Sequence, residues 1–297
     1  MKKKVLVLGG TGMVGHTIFR QLSLQKNLDV YATVRNMRGL DEWFAPELLE
    51  KIRGGVDANN VDTAIRALTS IKPDILINCI GIIKQSPAAS DPALTSAINS
   101  IFPHSISDAC RSAGVRLIQM STDCVFDGKR GRYTEKDAPN AVDLYGRSKM
   151  LGEVESVHCL TIRKSLIGHE LRGKLGLIEW FFAQEGPVNG FTRAVFTGLP
   201  TVELARVITE YVIPNEALMG LYHVSSDPIS KYDLLKLVAA RYKKKIEIIP
   251  YDKFQQDRSL DSFAFRKITG YNPPPWPELV DRMYRHYVES SYDKFSR

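Results

Sequence analysis

Three observations predict a doubly wound α/β protein built on a mainly parallel sheet. Short apolar runs alternate with amphipathic helical patterns through the first half of the chain. A glycine loop follows the first apolar run and opens the first helix. After Arg163 the alternation loosens, and glycines mix with aromatic residues. Consecutive apolar runs suit strands buried on both faces, as in a parallel sheet whose crossovers are helices. Right-handed crossovers then give the Rossmann strand order.

The elements follow in order. Residues 5–8 read as a buried strand, 13–25 as a helix, 30–34 as a strand and 61–71 as a helix. Residues 74–78 are a strand, 95–113 a long helix, 115–120 a strand, 144–157 a helix and 159–163 a strand. Helical patterns return at 202–212 and 231–242. Asn272-Pro273-Pro274-Pro275-Trp276-Pro277 is a helix-breaking connector before a last helix at 278–289. The expected division is a nucleotide-binding domain over 1–163, rejoined by segments around 195–225. A smaller α/β substrate-binding cap takes most of 164–297.

Composition bounds the function classes. The 297 residues are 44% hydrophobic and 25% charged, the balance of a globular protein. The net charge of +7 suits an anionic ligand, but no basic stripe points to nucleic acid. The longest almost unbroken apolar stretch, residues 75–83, is far short of the ~20 residues of a membrane span. The basic start Met1-Lys2-Lys3-Lys4 is followed by too short an apolar run for a signal peptide. Cys79, Cys110, Cys124 and Cys159 are widely spaced and read as reduced thiols of a cytoplasmic protein. The histidines do not cluster, so no metal site is expected.

The loop Gly9-Gly10-Thr11-Gly12-Met13-Val14-Gly15 fits a dinucleotide fingerprint in its proper setting, after a strand and before a helix. Early glycines allow a tight turn and close approach of backbone to a pyrophosphate. Gly15 lets the helix lie on the strand. The helix N-terminus offers free N–H groups and a positive dipole to the anion. About twenty residues on, an acid would mark a free ribose hydroxyl. Here Arg35 stands instead, with Asn36 and Arg38 beside it. A guanidinium fork binds phosphate, so NADP(H) is expected over NAD(H).

Tyr145-Gly146-Arg147-Ser148-Lys149 places a phenol and an ammonium four residues apart, on one helix face. A nearby ammonium favours the phenolate, so Lys149 is expected to lower the Tyr145 pKa and make the pair a proton relay. A second such pair, Tyr232 and Lys236, lies in the cap behind Ser230, a helix cap, and reads as structural. Ser121-Thr122-Asp123 follows a strand, so it lies at a carboxyl end of the sheet, where Thr122 can donate to a carbonyl oxygen.

On these residues, and on Met120–Gly128 with Tyr145–Glu153, the chain resembles the extended short-chain dehydrogenases/reductases, within them the dTDP-4-dehydrorhamnose reductase family. The resemblance implies NADPH-dependent reduction of the 4-keto group of a dTDP- or UDP-linked 6-deoxysugar, in surface polysaccharide synthesis. It makes Thr122, Tyr145 and Lys149 the catalytic triad. It puts Asp57 and Ala58 near the adenine and Cys79, Ile80 and Gly81 along the cofactor, and it gives Asn99 a structural or relay role. Cys124 stands where related dehydratases carry a glutamate, which argues against dehydration. Lys84, Asp123, Arg193 and Arg258 are the substrate candidates beside Thr122. Trp180, Phe181, Phe182 and Phe191 either stack on a base or fill the cap core, with core favoured. A monomer or homodimer is expected. The competing readings are a 4-epimerase retaining NAD and a non-catalytic NADP-sensing regulator of the same fold.

Overall fold

The computed structural model describes residues 2–290, so Met1 of the basic start lies outside them. Seven strands form one wholly parallel sheet in the order β10-β6-β5-β4-β1-β2-β3. They are β1 (Lys3–Leu8), β2 (Leu28–Thr33), β3 (Ile52–Arg53), β4 (Ile75–Asn78), β5 (Arg116–Met120), β6 (Cys159–Arg163) and β10 (Gly220–His223). The order reverses between β1 and β4, which opens the crevice where such sheets take ligands. The glycine loop after β1 and Cys79–Gly81 after β4 both lie at that reversal.

Each apolar run serves two cores. Along β1, Val5 and Val7 join Ile18, Phe19 and Ile77 on one face. Leu6 and Leu8 join Leu76, Phe102 and Ile106 on the other. Sheet and helices therefore pack on both sides, as the unbroken apolar runs require.

The second half contributes β10, which pairs with β6 at the sheet edge. Two short strands, β7 (Leu166–Ile167) and β9 (Leu199–Pro200), pair beside it. A separate sheet joins β11 (Ile229–Ser230), β8 (Val188–Phe196) and β12 (Ile248–Asp257). The two long strands β8 and β12 were not read from the sequence. Their exposed positions interrupt the apolar pattern that marks a buried strand.

Several helices differ from expectation: the one read at 202–212 is α-helical over Thr201–Val207 and widens to a π turn over Ile208–Val212, and the one read at 13–25 ends at Ser23. The stretch expected at 95–113 starts earlier, at Pro92–Ser96, widens to a π turn over Ala97–Ile101, and continues as Phe102–Ala113. The helix expected at 144–157 ends at Leu151. A Cβ on Gly152 would stand 1.8 Å from the Asn99 carbonyl oxygen, so the chain can pass there only as glycine. The last helix begins at Trp276, and helices 61–71 and 231–242 stand as read.

Candidate active site

The glycine loop has the form an anion cradle needs. Gly9 adopts a left-handed φ of +83°, and a Cβ there would meet Ile80 and the Cys79 carbonyl. A Cβ on Gly15 would lie 2.1 Å from the Gly9 oxygen, so helix and loop touch through glycine alone. Gly12 caps the helix Met13–Ser23 without a side-chain hydrogen bond, and its first turn holds no acid. That leaves backbone donors for a pyrophosphate. Thr11, Arg35, Asn36 and Arg38 line one cavity of about 280 Å³, over an apolar floor of Leu40 and Trp43. No lining residue is acidic. The residues present therefore fit a dinucleotide with a phosphorylated ribose.

Farther along the cleft, Cys79 continues β4, its N–H bonded to the Leu8 carbonyl at 3.1 Å. Asn78 Oδ1 accepts from the Ile80 N–H. Gly81 leaves room: a Cβ there would stand 3.3 Å from Asn99 Oδ1 and 3.7 Å from Lys149 Nζ. Asn99, inside the π turn, accepts from the Ile82 N–H at 2.9 Å and donates to the Ile82 carbonyl and to Ser148 Oγ. It ties the loop after β4 to the helix that carries Tyr145. Asp57 spends its carboxylate on the Asn59 N–H, and Ala58 is buried against the helix Val61–Ile71.

The chemistry gathers after β5. Asp143 caps the helix Leu144–Leu151 through the Gly146 N–H at 2.8 Å, and this starts the helix so that Tyr145 and Lys149 share a face. Thr122 caps the short turn Asp123–Val125, donates to Asp123 Oδ1 at 3.1 Å, and lies close to the Tyr145 phenol. The turn-capping reading of Thr122 is the one its hydrogen bonds display.

One expectation is corrected. Desolvation raises the Tyr145 phenol above its ordinary value, with the neighbouring Cys124 adding to the rise, and this outweighs the opposing influence of the Thr122 hydroxyl. Lys149 donates to the Met120 carbonyl at 2.9 Å. Its pKa is lowered to about 8, by burial first and then by Lys164, against Glu153 and Cys79.

Three residues escaped the sequence reading. Lys164, just past β6, donates to the Ser121 carbonyl at 2.8 Å, and burial lowers it to about 8 as well. Two ammonium groups thus sit on consecutive carbonyls at the end of β5. The signal was available, since a lysine one residue past a parallel strand lies at the carboxyl edge. Lys231 starts the helix Lys231–Tyr242 and feels Asp123, Cys124 and Arg258. Glu153 accepts from Ser121 Oγ and takes both forks of Arg163, so it anchors the loop carrying Thr122 to β6.

The substrate candidates divide. Asp123 is half-buried, and desolvation raises its pKa against Arg258 and the bond from Thr122. Arg258 donates to the Phe126 carbonyl and stands 3.9 Å from Asp143. Lys84 pairs with Asp143 at 2.8 Å. These three join the Tyr145 cluster. Arg193 bonds to Gln255 of β12, and among the described residues no contact ties it to that cluster. Phe181 is core, Phe182 packs on His169 and Tyr242, and Phe191 packs on Tyr251 and Phe254, while Trp180 is exposed. Tyr232 lies under Lys236 and against Gly190. All four cysteines are free. Among the described residues no cluster of metal ligands occurs, and no helix is long and apolar enough to cross a membrane. A second cavity, of about 530 Å³ between Arg132, Asp227, Ser259 and Arg266, contains none of the expected site residues.

Similarities to known proteins agree with this geometry. A dTDP-4-dehydrorhamnose reductase of Escherichia coli is 27% identical over 94% of this chain and 96% of its own length. The methionine adenosyltransferase 2 subunit beta of Danio rerio is 27% identical over 80% of this chain and 73% of its own. The crystal structure of a Bacillus anthracis dTDP-4-dehydrorhamnose reductase in complex with NADP superposes with a TM-score of 0.79 at 21% identity, covering 96% of this chain and all of that one. A Thermus thermophilus UDP-glucose 4-epimerase in complex with NAD reaches 0.76 at 19% identity, over 96% and 99%. The model of the RmlD substrate binding domain matches residues 2–289, and the chain belongs to that family.

Proposed function

We propose that the protein reduces the 4-keto group of a nucleotide-linked 6-deoxysugar with NADPH. The observation that carries this reading is the half-buried Tyr145 beside Thr122, with Lys149 one helical turn on at the Met120 carbonyl, at the sheet crevice that also bears an acid-free arginine pocket. Residues 1–163, with the returning segment around 195–225, hold the dinucleotide in this reading. The remainder of 164–297 holds the sugar nucleotide.

When bound, NADPH supplies the hydride. Tyr145 supplies the proton: its phenol, kept protonated by burial, donates to the substrate oxygen as charge develops there. Thr122 hydrogen-bonds the same oxygen and orients it. Lys149, charged below pH ~8, holds the Met120 carbonyl one helical turn from Tyr145 and so fixes the edge on which the substrate oxygen would lie. Lys84 and Arg258, both beside Asp143, are the cations we assign to the substrate's diphosphate. Arg193 has no part in this arrangement.

A second reading has a specific observation behind it: one relative is named as a subunit of another enzyme. A subunit that only senses NADP would use the glycine loop and arginines and leave the Tyr145 cluster idle. The epimerase reading is weakened by Arg35 and Arg38, because a retained NAD has no 2′-phosphate for them.

The test is NADPH oxidation against a panel of 4-keto-6-deoxy dTDP- and UDP-sugars, with NADH in parallel. Turnover with one sugar and preference for NADPH support the reductase. Tight NADPH binding without turnover on any sugar shifts the assignment to the regulatory subunit.

A further inference from the structure

The cofactor pocket has a wall that no sequence motif announces. Arg172 lies beyond β7, in the chain's second half, and reaches over to the loop after β2. Its Nη2 donates to the Gly39 carbonyl at 2.8 Å and to that of Arg38 at 3.3 Å. Gly39 has a left-handed φ of +66°, and a Cβ on it would stand 2.6 Å from the Arg172 Nη2. The close approach therefore depends on glycine. Nε and Nη1 of Arg172 make no hydrogen bond among the described residues, so donors remain available. Its side chain lines the same cavity as Arg35, Arg38 and the Thr11 hydroxyl, with Leu171 beside it.

Three guanidinium groups thus share about 280 Å³ without a carboxylate in the lining. An anion with several oxygens in this cavity would be offered charge-assisted hydrogen bonds from more than one guanidinium. Arg35 and Arg38 come from the loop after β2, whereas Arg172 comes from the segment that leads into the helix Leu177–Phe182. An anion bound here would join two parts of the chain that are otherwise linked at this point by Arg172's own bonds to carbonyls.

We infer that Arg172 is a third guanidinium for the 2′-phosphate of a phosphorylated adenosine, supplied from the cap side, so that NADP(H) but not NAD(H) fastens the 170–176 loop over the cofactor. The inference rests on the proposed dinucleotide function, and it makes one loop of the cap a determinant of cofactor choice.

Binding measurements test it without any sugar substrate. The full-length protein and its Arg172→Met and Arg172→Lys variants are titrated with NADPH, NADH and adenosine 2′,5′-bisphosphate, and amide exchange over 170–176 is followed in each state. Loss of a charge-assisted contact should weaken NADPH and the bisphosphate roughly ten- to a hundredfold in Arg172→Met, with NADH changed less than about twofold. Arg172→Lys, which keeps the charge and loses the fork, should fall between. In the unmutated protein NADPH and the bisphosphate should slow exchange over 170–176, and NADH should not. Equal losses for NADPH and NADH, or unchanged affinity while the loop exchanges faster, would reduce Arg172 to a strap and overturn the inference. If the unmutated protein binds none of the three probes, the dinucleotide reading itself fails, and the inference with it.

Discussion

Tyr145 is the residue on which the proposed chemistry turns. Its phenol is half-buried, raised in pKa by desolvation and close to Thr122, a combination suited to giving a proton rather than taking one. Tyr145→Phe should lower turnover by about three orders of magnitude while NADPH still binds, because the proton donor is lost and the pocket is not. Near-normal turnover would remove Tyr145 from the mechanism. Arg35→Asp puts a carboxylate where a phosphate is expected, so NADPH affinity should drop at least tenfold more than NADH affinity. Equal losses would point to a folding effect.

Lys149 offers a pH test at the same scale. Its pKa of about 8 is below the ordinary 10.5, so the ammonium is present below pH ~8 and lost above it. Turnover that needs the ammonium should therefore fall as pH rises through ~8. Lys164 is the like charge that helps depress Lys149. Lys164→Met should move this alkaline limb upward. A limb that stays in place would belong to another group.

At the scale of elements, two glycines set the geometry. Gly15 allows the helix Met13–Ser23 to rest on the loop it caps, and Gly152 lets the end of the Tyr145 helix pass the Asn99 carbonyl. Gly15→Ala must push helix and loop apart, since its Cβ would meet backbone rather than a movable side chain. A loss of about 1–3 kcal/mol in urea unfolding is expected, with a larger proportional loss of dinucleotide binding. Stability and binding both within error of the unmutated protein would show that the loop can shift freely. The helix boundaries show what periodicity conceals. The pattern at 144–157 continues past Leu151, yet Gly152 stops the helix because of a backbone 53 residues earlier in the chain.

Across the whole molecule, the two halves of the chain share one core. Ile18, Leu204, Leu234 and Val280 pack in a single cluster, and Thr17 of the first helix bonds to Thr201. The edge strand β10 completes the sheet beside β6. A chain ending at residue 187 would keep the glycine loop and Tyr145, yet expose the β6 edge and the apolar face of the helix Met13–Ser23. It should show no cooperative urea transition. A sharp transition with NADPH binding would establish the first half as an independent unit.

The sequence by itself determined whatever depends on neighbours along the chain. Strand and helix alternation, the glycine loop and the four-residue step from Tyr145 to Lys149 are local patterns, and local sterics and helix geometry enforce them. Thr122 was legible because it follows a strand whose end faces the crevice. Only the tertiary structure decided which distant charges meet. Lys164, Lys231 and Arg258 come from three separate segments to surround Asp123 and Cys124, and Arg172 crosses to Gly39. No periodicity records such meetings. The direction of the Tyr145 shift was decided there too, because desolvation depends on everything packed around the phenol, and here it outweighs the Thr122 hydroxyl that opposes it.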